Sequence, residues 1–249
     1  MSASSLTAWR EYAGANGQRP REHTRWLNGG RQGAGPMELV ENVTFERARI
    51  SGERFAYSTL RHCFFSDAGI EYSDFDRSHF DDCWSITANL SHNSFHDAVF
   101  TNCRLPRIDF QWGHFTRARL NASELDGSSF ANAVFVAAQL EGCSFRGGTF
   151  SATMFDECTI TRCDFRDAVL HGSPASGRCY GTQFTDCDFR GADFTDRRLR
   201  DVTFTRCRFF GVKGRAVLEG DVQVIEPDFS EAGDGSDVRD ASAVLAMWT

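Results

Sequence analysis

Between Phe95 and Phe115 the chain reads FHDAVFTNCRLPRIDFQWGHF, with a large apolar residue at every fifth place: Phe95, Phe100, Leu105, Phe110 and Phe115. The same phase runs back to Phe45 and forward to Leu170. Of the 26 positions it visits, 25 are Phe, Leu or Ile, and Ser85 is the exception. A second run follows in the same step: Phe184, Phe189, Phe194, Leu199, Phe204 and Phe209. A period of five fits neither the 3.6 of a helix nor the 2 of a strand, so the chain turns a corner once per unit. The residue two places before each large one is usually small, as at Ala48, Ser58, Cys63, Ala68, Ser73, Ala98 and Ala118. Side chains alternate along extended backbone, so a ring and its small partner face the same narrow interior.

Segments such as Ala168-Val169-Leu170, Cys187-Asp188-Phe189-Arg190-Gly191 and Ala192-Asp193-Phe194 resemble the pentapeptide-repeat family. Its pattern is a small residue, a polar one, a central Leu or Phe, then two more polar ones. The resemblance covers residues 41–211, about two-thirds of the chain. It implies an all-β fold, a right-handed quadrilateral β-helix in which four repeats make one square coil. Cys63, Cys83, Cys103, Cys143 and Cys163 occupy the small inward site at multiples of 20 residues, which fits four units per coil. A recent 20-residue duplication would leave the same trace. About eight coils at roughly 4.7–4.9 Å each make a rod of roughly 40 Å, with Phe65, Phe75, Phe95, Phe115, Phe135 and Phe155 among its core. The gap of 14 between Leu170 and Phe184 is one residue short of three repeats or four beyond two. The second alternative puts Cys187 and Cys207 in the cysteine column. A four-residue insertion is therefore expected near 171–179, where Gly172, Ser173, Pro174 and Gly177 favour a turn.

This divides the chain into an N-terminal extension and cap (1–40), the solenoid (41–212) and a C-terminal cap (213–249). The ends of a solenoid are raw sheet edges and need covering. Residues 5–12 read as a short helix with Ser5 as N-cap. Residues 216–218 and 222–225 read as strands. Asp237 is placed to cap a helix from Val238 to Trp248, with Val244, Leu245 and Trp248 inward.

The composition narrows the function. Phenylalanine occurs 23 times and proline 5 times, and Lys213 is the one lysine. The net charge of −7 divides as +2 over residues 1–40, −4 over 41–212 and −5 over 213–249. That is neither a basic nucleic-acid footprint nor a strongly acidic body, so direct nucleic-acid binding is not expected. No basic start precedes an apolar run, and no apolar stretch is of bilayer length; a cytoplasmic protein without membrane contact is expected. The nine cysteines read as reduced, buried thiols, since paired short zinc spacings are missing. No G-x-S-x-G, P-loop or G-x-G-x-x-G occurs, and Asp234-Gly235-Ser236-Asp237 lacks EF-hand spacing. The expectation is a non-enzymatic binding protein with no catalytic residue, metal or cofactor.

The outward positions carry the functional signal. Phe64 and Trp84 are 20 apart, with Ser85 in place of a central residue beside them, so an apolar patch forms there. It serves either a partner or the N-terminal segment, through Trp9 or Trp26. Val134, Val136 and Met154, with Ala131, Ala137 and Ala152, make a second patch, suited to homodimerisation or docking of a partner. Scattered apolar surface is the competing account. Asp74, Asp76, Asp81 and Asp82 are the dense acidic cluster. The family resemblance is strongest to the gyrase-directed quinolone-resistance and self-protection branch. That branch implies mimicry of duplex DNA and a type II topoisomerase as partner, with those four aspartates as the binding residues. The alternative is an interaction adaptor or scaffold, for example in a secretion or toxin–immunity system.

Overall fold

In the computed structural model, which describes residues 40–42, 44–173 and 177–248, each five-residue unit forms one side of a square coil. The corner lies two residues after each central one, at positions such as Asp97 (φ 56°) and Arg117 (φ 54°). The Ala98 amide donates to the Phe95 carbonyl at 3.1 Å. This closes a four-residue turn with positive φ at its third residue, as in a type II turn. A left-handed residue costs about 1–2 kcal/mol, and the corner recurs up the whole rod. What it gains is direction: after each turn the small and large residues of the next unit again face the axis. The peptide groups of each side then lie along the rod, where the neighbouring coils meet them.

Four faces result. Face A is a sheet of ten short parallel strands, from Val40–Glu41, Thr59–Arg61 and His79–Asp81 up to Thr203–Thr205 and Gln223–Ile225. Face B is a line of single bridges from Thr44 through Phe64, Trp84, Arg104 and Glu124 to Asp228. Face C starts as the strands Arg49–Ser51, Ala68–Glu71, Ala88–Asn89 and Ile108–Asp109 and continues as bridges up to Lys213. Face D starts as bridges at Arg54 and becomes the strands Val134–Val136, Met154–Asp156, Arg178–Tyr180, Arg198–Arg200 and Val217–Glu219. The fold is thus the all-β solenoid expected. It runs on past residue 212, because Val217–Glu219 and Gln223–Ile225 pair in parallel with the coil below. Leu218 stands over Leu199 after a step of 19 residues, not 20, so the period of five loses the last coil.

Stacking coils in register puts rings over rings. Phe75, Phe95, Phe115 and Phe135 form one column with centroids 5.4, 4.8 and 4.6 Å apart, and Phe80 lies 4.4 Å from Phe100 with planes 2° apart. Phe65 and Phe155 are buried in the same core. The cysteine column lies on one side as expected. Cys83 Sγ donates to the Leu60 carbonyl at 3.2 Å, and Cys143 Sγ to that of Leu120 at 3.2 Å. Burial holds the Cys163 and Cys207 thiols well above their ordinary range and pushes Cys158 up to about 12. Such thiols are protonated small hydrophobes.

The insertion falls where the cysteines placed it. Ile160 pairs with Phe184 and Asp164 bridges Asp188, a step of 24, so Cys163 and Cys187 share a column. Gly172 begins the detour; a Cβ there would sit 1.7 Å from the Asp196 carbonyl oxygen. One consequence was not visible in the period. Cys179 takes the central place held by Phe155 one coil below and Leu199 one coil above. The room it leaves is filled by Arg197, which occupies a small inward site and is fully buried. Its guanidinium donates to Cys179 Sγ (3.3 Å), the Phe150 carbonyl (3.3 Å) and the Arg178 carbonyl (3.4 Å), and lies 5.5 Å from the Phe155 ring centre. Burial raises the Cys179 thiol against the pull of Arg197, so the sulfur accepts as a neutral group.

At the far end, helix α1 (Ala241–Trp248) lies across the last coil with Val244 and Trp248 buried and Leu245 half-buried. The Trp248 ring sits 5.3 Å from Phe194, 5.7 Å from Phe204 and 6.0 Å from Phe209. The helix starts later than its sequence suggested. Asp237 is held by Arg239, its carbonyl takes the Phe229 amide, and Val238 bridges Asp228 antiparallel. The N-terminal helix expected at 5–12 lies outside the described residues, as does the tip of the insertion.

Two stability outcomes follow from this core. Phe115→Ala should lose about 3–5 kcal/mol in reversible denaturation; a loss under about 1 kcal/mol would show that the ring is not core. Arg197→Ala should lose about 2–4 kcal/mol by opening a cavity beside Cys179. Adding Cys179→Phe, which restores the ordinary small-and-large pair, should recover most of that loss. A double variant less stable than the single one would refute the size exchange.

Candidate partner-binding surfaces

With the odd positions committed to the core, chemistry is left to the outward columns. Charges in these columns meet their opposites one coil away. Arg117 donates to both carboxylate oxygens of Asp97 at 2.7 and 2.8 Å, and Arg206 does the same to Asp186 at 2.7 and 2.9 Å. Arg61 reaches Asp81 at 3.0 Å, Arg178 reaches Asp156 at 2.7 Å, and Arg198 reaches Glu219 at 2.7 Å. The hydrogen bonds from Arg117 hold the Asp97 carboxyl below its usual range.

The four aspartates singled out in the sequence do not share one patch. Asp74 and Asp76 lie on face D, whereas Asp81 lies on face A, paired with Arg61, and Asp82 at the corner beyond it, 3.7 Å from His62 Nε2. Asp74 is pushed up by burial. Asp76 belongs to a small network in which Ser94 Oγ lies 2.5 Å from Asp76 Oδ1 and 2.6 Å from His96 Nδ1. The same Nδ1 is 3.3 Å from Asp76. A nucleophile–base–orienter set needs the imidazole between hydroxyl and carboxylate. Here one ring nitrogen and the carboxylate converge on the same hydroxyl, which is a surface hydrogen-bond network. His114, stacked 6.0 Å from His96, is lowered by burial and by the charge of His96. Among the described residues, no group of three or more His, Cys, Asp or Glu could hold a metal ion. No helix among them is long and apolar enough to cross a membrane.

Apolar outward residues also form columns. Phe64 and Trp84 stack on face B at 3.9 Å, with Trp84 47% exposed and Ile86 beside it 52% exposed. Ser85 is buried, its hydroxyl turned to the Thr87 carbonyl at 3.1 Å, so the local chain bends without a central ring. Val134 and Met154 are register neighbours on face D with Val136 alongside, all half-buried. The packing of Trp9 or Trp26 on the first patch lies outside the described residues. A third column was missed from sequence: Tyr72, His92 and Trp112 stack at 4.7 and 6.1 Å along the corner between faces C and D. Its signal was available, three rings 20 apart at the same polar position.

A family model for pentapeptide repeats matches residues 114–151, 133–172 and 178–213 in eight copies. The chain is a pentapeptide-repeat protein. None of the curated proteins matches it in sequence. Among solved structures it is similar to HetL, a pentapeptide repeat protein involved in heterocyst differentiation regulation from the cyanobacterium Nostoc sp. strain PCC 7120. That match has 15% identity over 86% of this chain and 97% of HetL, with a TM-score of 0.33. It is also similar to a trypsin-treated form of QnrB1, a plasmid-mediated fluoroquinolone resistance protein, with 18% identity, 78% and 91% coverage and a TM-score of 0.29. The catalytic unit of a GH87 α-1,3-glucanase from Streptomyces thermodiastaticus matches with 10% identity, 77% and 62% coverage and a TM-score of 0.31. The likeness is one of fold.

The Asp97–Arg117 pair sets a pH dependence. A carboxyl depressed in the folded state contributes stability that is complete above its unfolded value, about 3.9, and is lost as pH falls through the folded value. Asp97→Asn should therefore lower the melting temperature at neutral pH, with the gap from wild type closing below about pH 4. A gap that does not change with pH would show that the pair adds nothing.

Proposed function

We propose that this pentapeptide-repeat protein is a non-enzymatic interaction rod, an adaptor that docks on another protein through its outward apolar and aromatic columns. One observation carries this reading. Charge cancels between neighbouring coils, whereas exposed rings and methyl groups line up along the axis at Phe64–Trp84, Tyr72–His92–Trp112 and Val134–Met154. Duplex DNA carries one negative charge per about 1.7 Å of axis, so a mimic needs roughly three per coil. Residues 41–212 carry a net −4, about half a charge per coil at roughly 4.8 Å spacing. Binding of DNA gyrase by mimicry, with Asp74, Asp76, Asp81 and Asp82 as its contact residues, is the competing reading.

Affinity for purified gyrase, at two salt concentrations, separates them. An adaptor shows no salt-sensitive gyrase binding that depends on the four aspartates. Its partner, captured from the host by wild type, is lost with Trp84→Asp or Val134→Asp and retained at high salt. Tight gyrase binding that weakens with salt and with all four Asp→Asn changes would overturn the adaptor reading.

A further inference from the structure

The Tyr72–His92–Trp112 column has a feature the other two lack: an open end. All three residues sit at the corner with φ of 53°, 57° and 59°, a conformation in which bulky side chains are uncommon. Tyr72 is 63% exposed and Trp112 50% exposed, so neither ring contributes to the core. Strain held without a packing return points to use. A stack of three rings leaves two outer faces. Above Trp112 the column continues with Asn132, whose amide hydrogen-bonds the coil above at the Ser151 carbonyl. Below Tyr72 it continues with Gly52, which has no side chain, and the place its Cβ would occupy has no atom within 4 Å. The lower face of the Tyr72 ring therefore opens onto a notch one coil deep.

The notch is acidic where the rest of the rod is balanced. The corner segments 51–54, 71–74, 91–94 and 111–114 carry Glu53, Glu71 and Asp74 against the single arginine Arg54. Glu53 adjoins Gly52 and is exposed. Glu71 adjoins Tyr72 and accepts from two neutral donors, Asn89 Nδ2 at 2.7 Å and Ser91 Oγ at 3.2 Å, which leave its charge in place. At the corner between faces D and A, by contrast, each carboxylate faces a guanidinium, as Asp97 faces Arg117.

We propose that this notch is a cation site and that it takes an arginine side chain of the partner polypeptide, laid against the open face of Tyr72 with Glu53 and Glu71 at its rim. The site rests on the reading of this protein as an interaction rod and names the chemistry of one contact. A guanidinium over an aromatic face is attracted by the ring quadrupole, and facing carboxylates add orientation and choice of partner.

The test uses the full chain and the peptide acetyl-Gly-Arg-Gly-amide, with its citrulline counterpart as the neutral isostere, followed by NMR shifts of Tyr72 and Gly52. The arginine peptide should give saturable shifts at both residues and the citrulline peptide should not. Gly52→Asn, which fills the notch with a side chain that tolerates positive φ, should weaken binding about fivefold or more. Glu53→Gln with Glu71→Gln should weaken it about threefold. Equal binding of the citrulline peptide, or binding undiminished by Gly52→Asn, would overturn the site. So would Tyr72 shifts that depend on protein concentration without peptide, which would give the ladder to a second copy of this chain. The adaptor reading is scored separately, by partner capture with Trp84→Asp and Val134→Asp, so either can fail alone.

Discussion

Every residue in the regular part of this rod stands over the residue 20 places earlier, at the spacing of paired strands. Coils that hydrogen-bond through parallel strands cannot slide relative to one another, because a slip of one residue would turn every inward side chain outward. Like therefore meets like along each column. For flat rings this is favourable, and the interior becomes columns of parallel phenylalanines such as Phe75, Phe95, Phe115 and Phe135. For small residues it is neutral, and the column of thiols beside them forms hydrogen bonds to the carbonyls of the coil below. For charges it is unfavourable, so acids and bases alternate from coil to coil, as Asp97 does with Arg117 and Asp186 with Arg206.

The surface inherits the same arithmetic. Residues far apart in sequence, such as Phe64 and Trp84 or Val134 and Met154, become a contiguous strip because their separation is one coil. Conversely, residues close in sequence are dealt onto different sides. Asp76 and Asp81 are five apart and lie on different faces. An acidic cluster counted along the chain is therefore not a cluster in space. A contact surface on this fold is read at intervals of 20.

What could be read from sequence was whatever the period enforces. The central Phe, Leu and Ile residues, the cysteine column and the four-residue detour before Cys179 all follow from one spacing. The exchange of Cys179 and Arg197 was hidden because each looks ordinary by type: a cysteine suits a small site, and an arginine suits the surface. Their places are inverted, and only the packing between Phe155 and Leu199 reveals it. The helix start was misjudged by three residues because Asp237 is as good a cap in sequence as Asp240, whose carbonyl takes the Ala243 amide. Residues 227–239 are instead drawn into contacts with the last coil through Arg239, Asp228 and Phe229. The corner ladder of Tyr72, His92 and Trp112 was legible but overlooked, since polar positions were searched for charge and not for rings.

The detour between Leu170 and Cys179 also has a mechanical meaning. Tension along the axis would load the inter-coil hydrogen bonds in sequence, as in unzipping, because each coil is held mainly by its immediate neighbours. The rod would then lengthen in equal increments, one coil of 20 residues at a time, each releasing roughly 65–70 Å of extended chain. The coil that contains the detour is the exception, since it spans 24 residues between Ile160 and Phe184. It would mark a single longer increment in an otherwise even staircase, a ruler notch built into the chain.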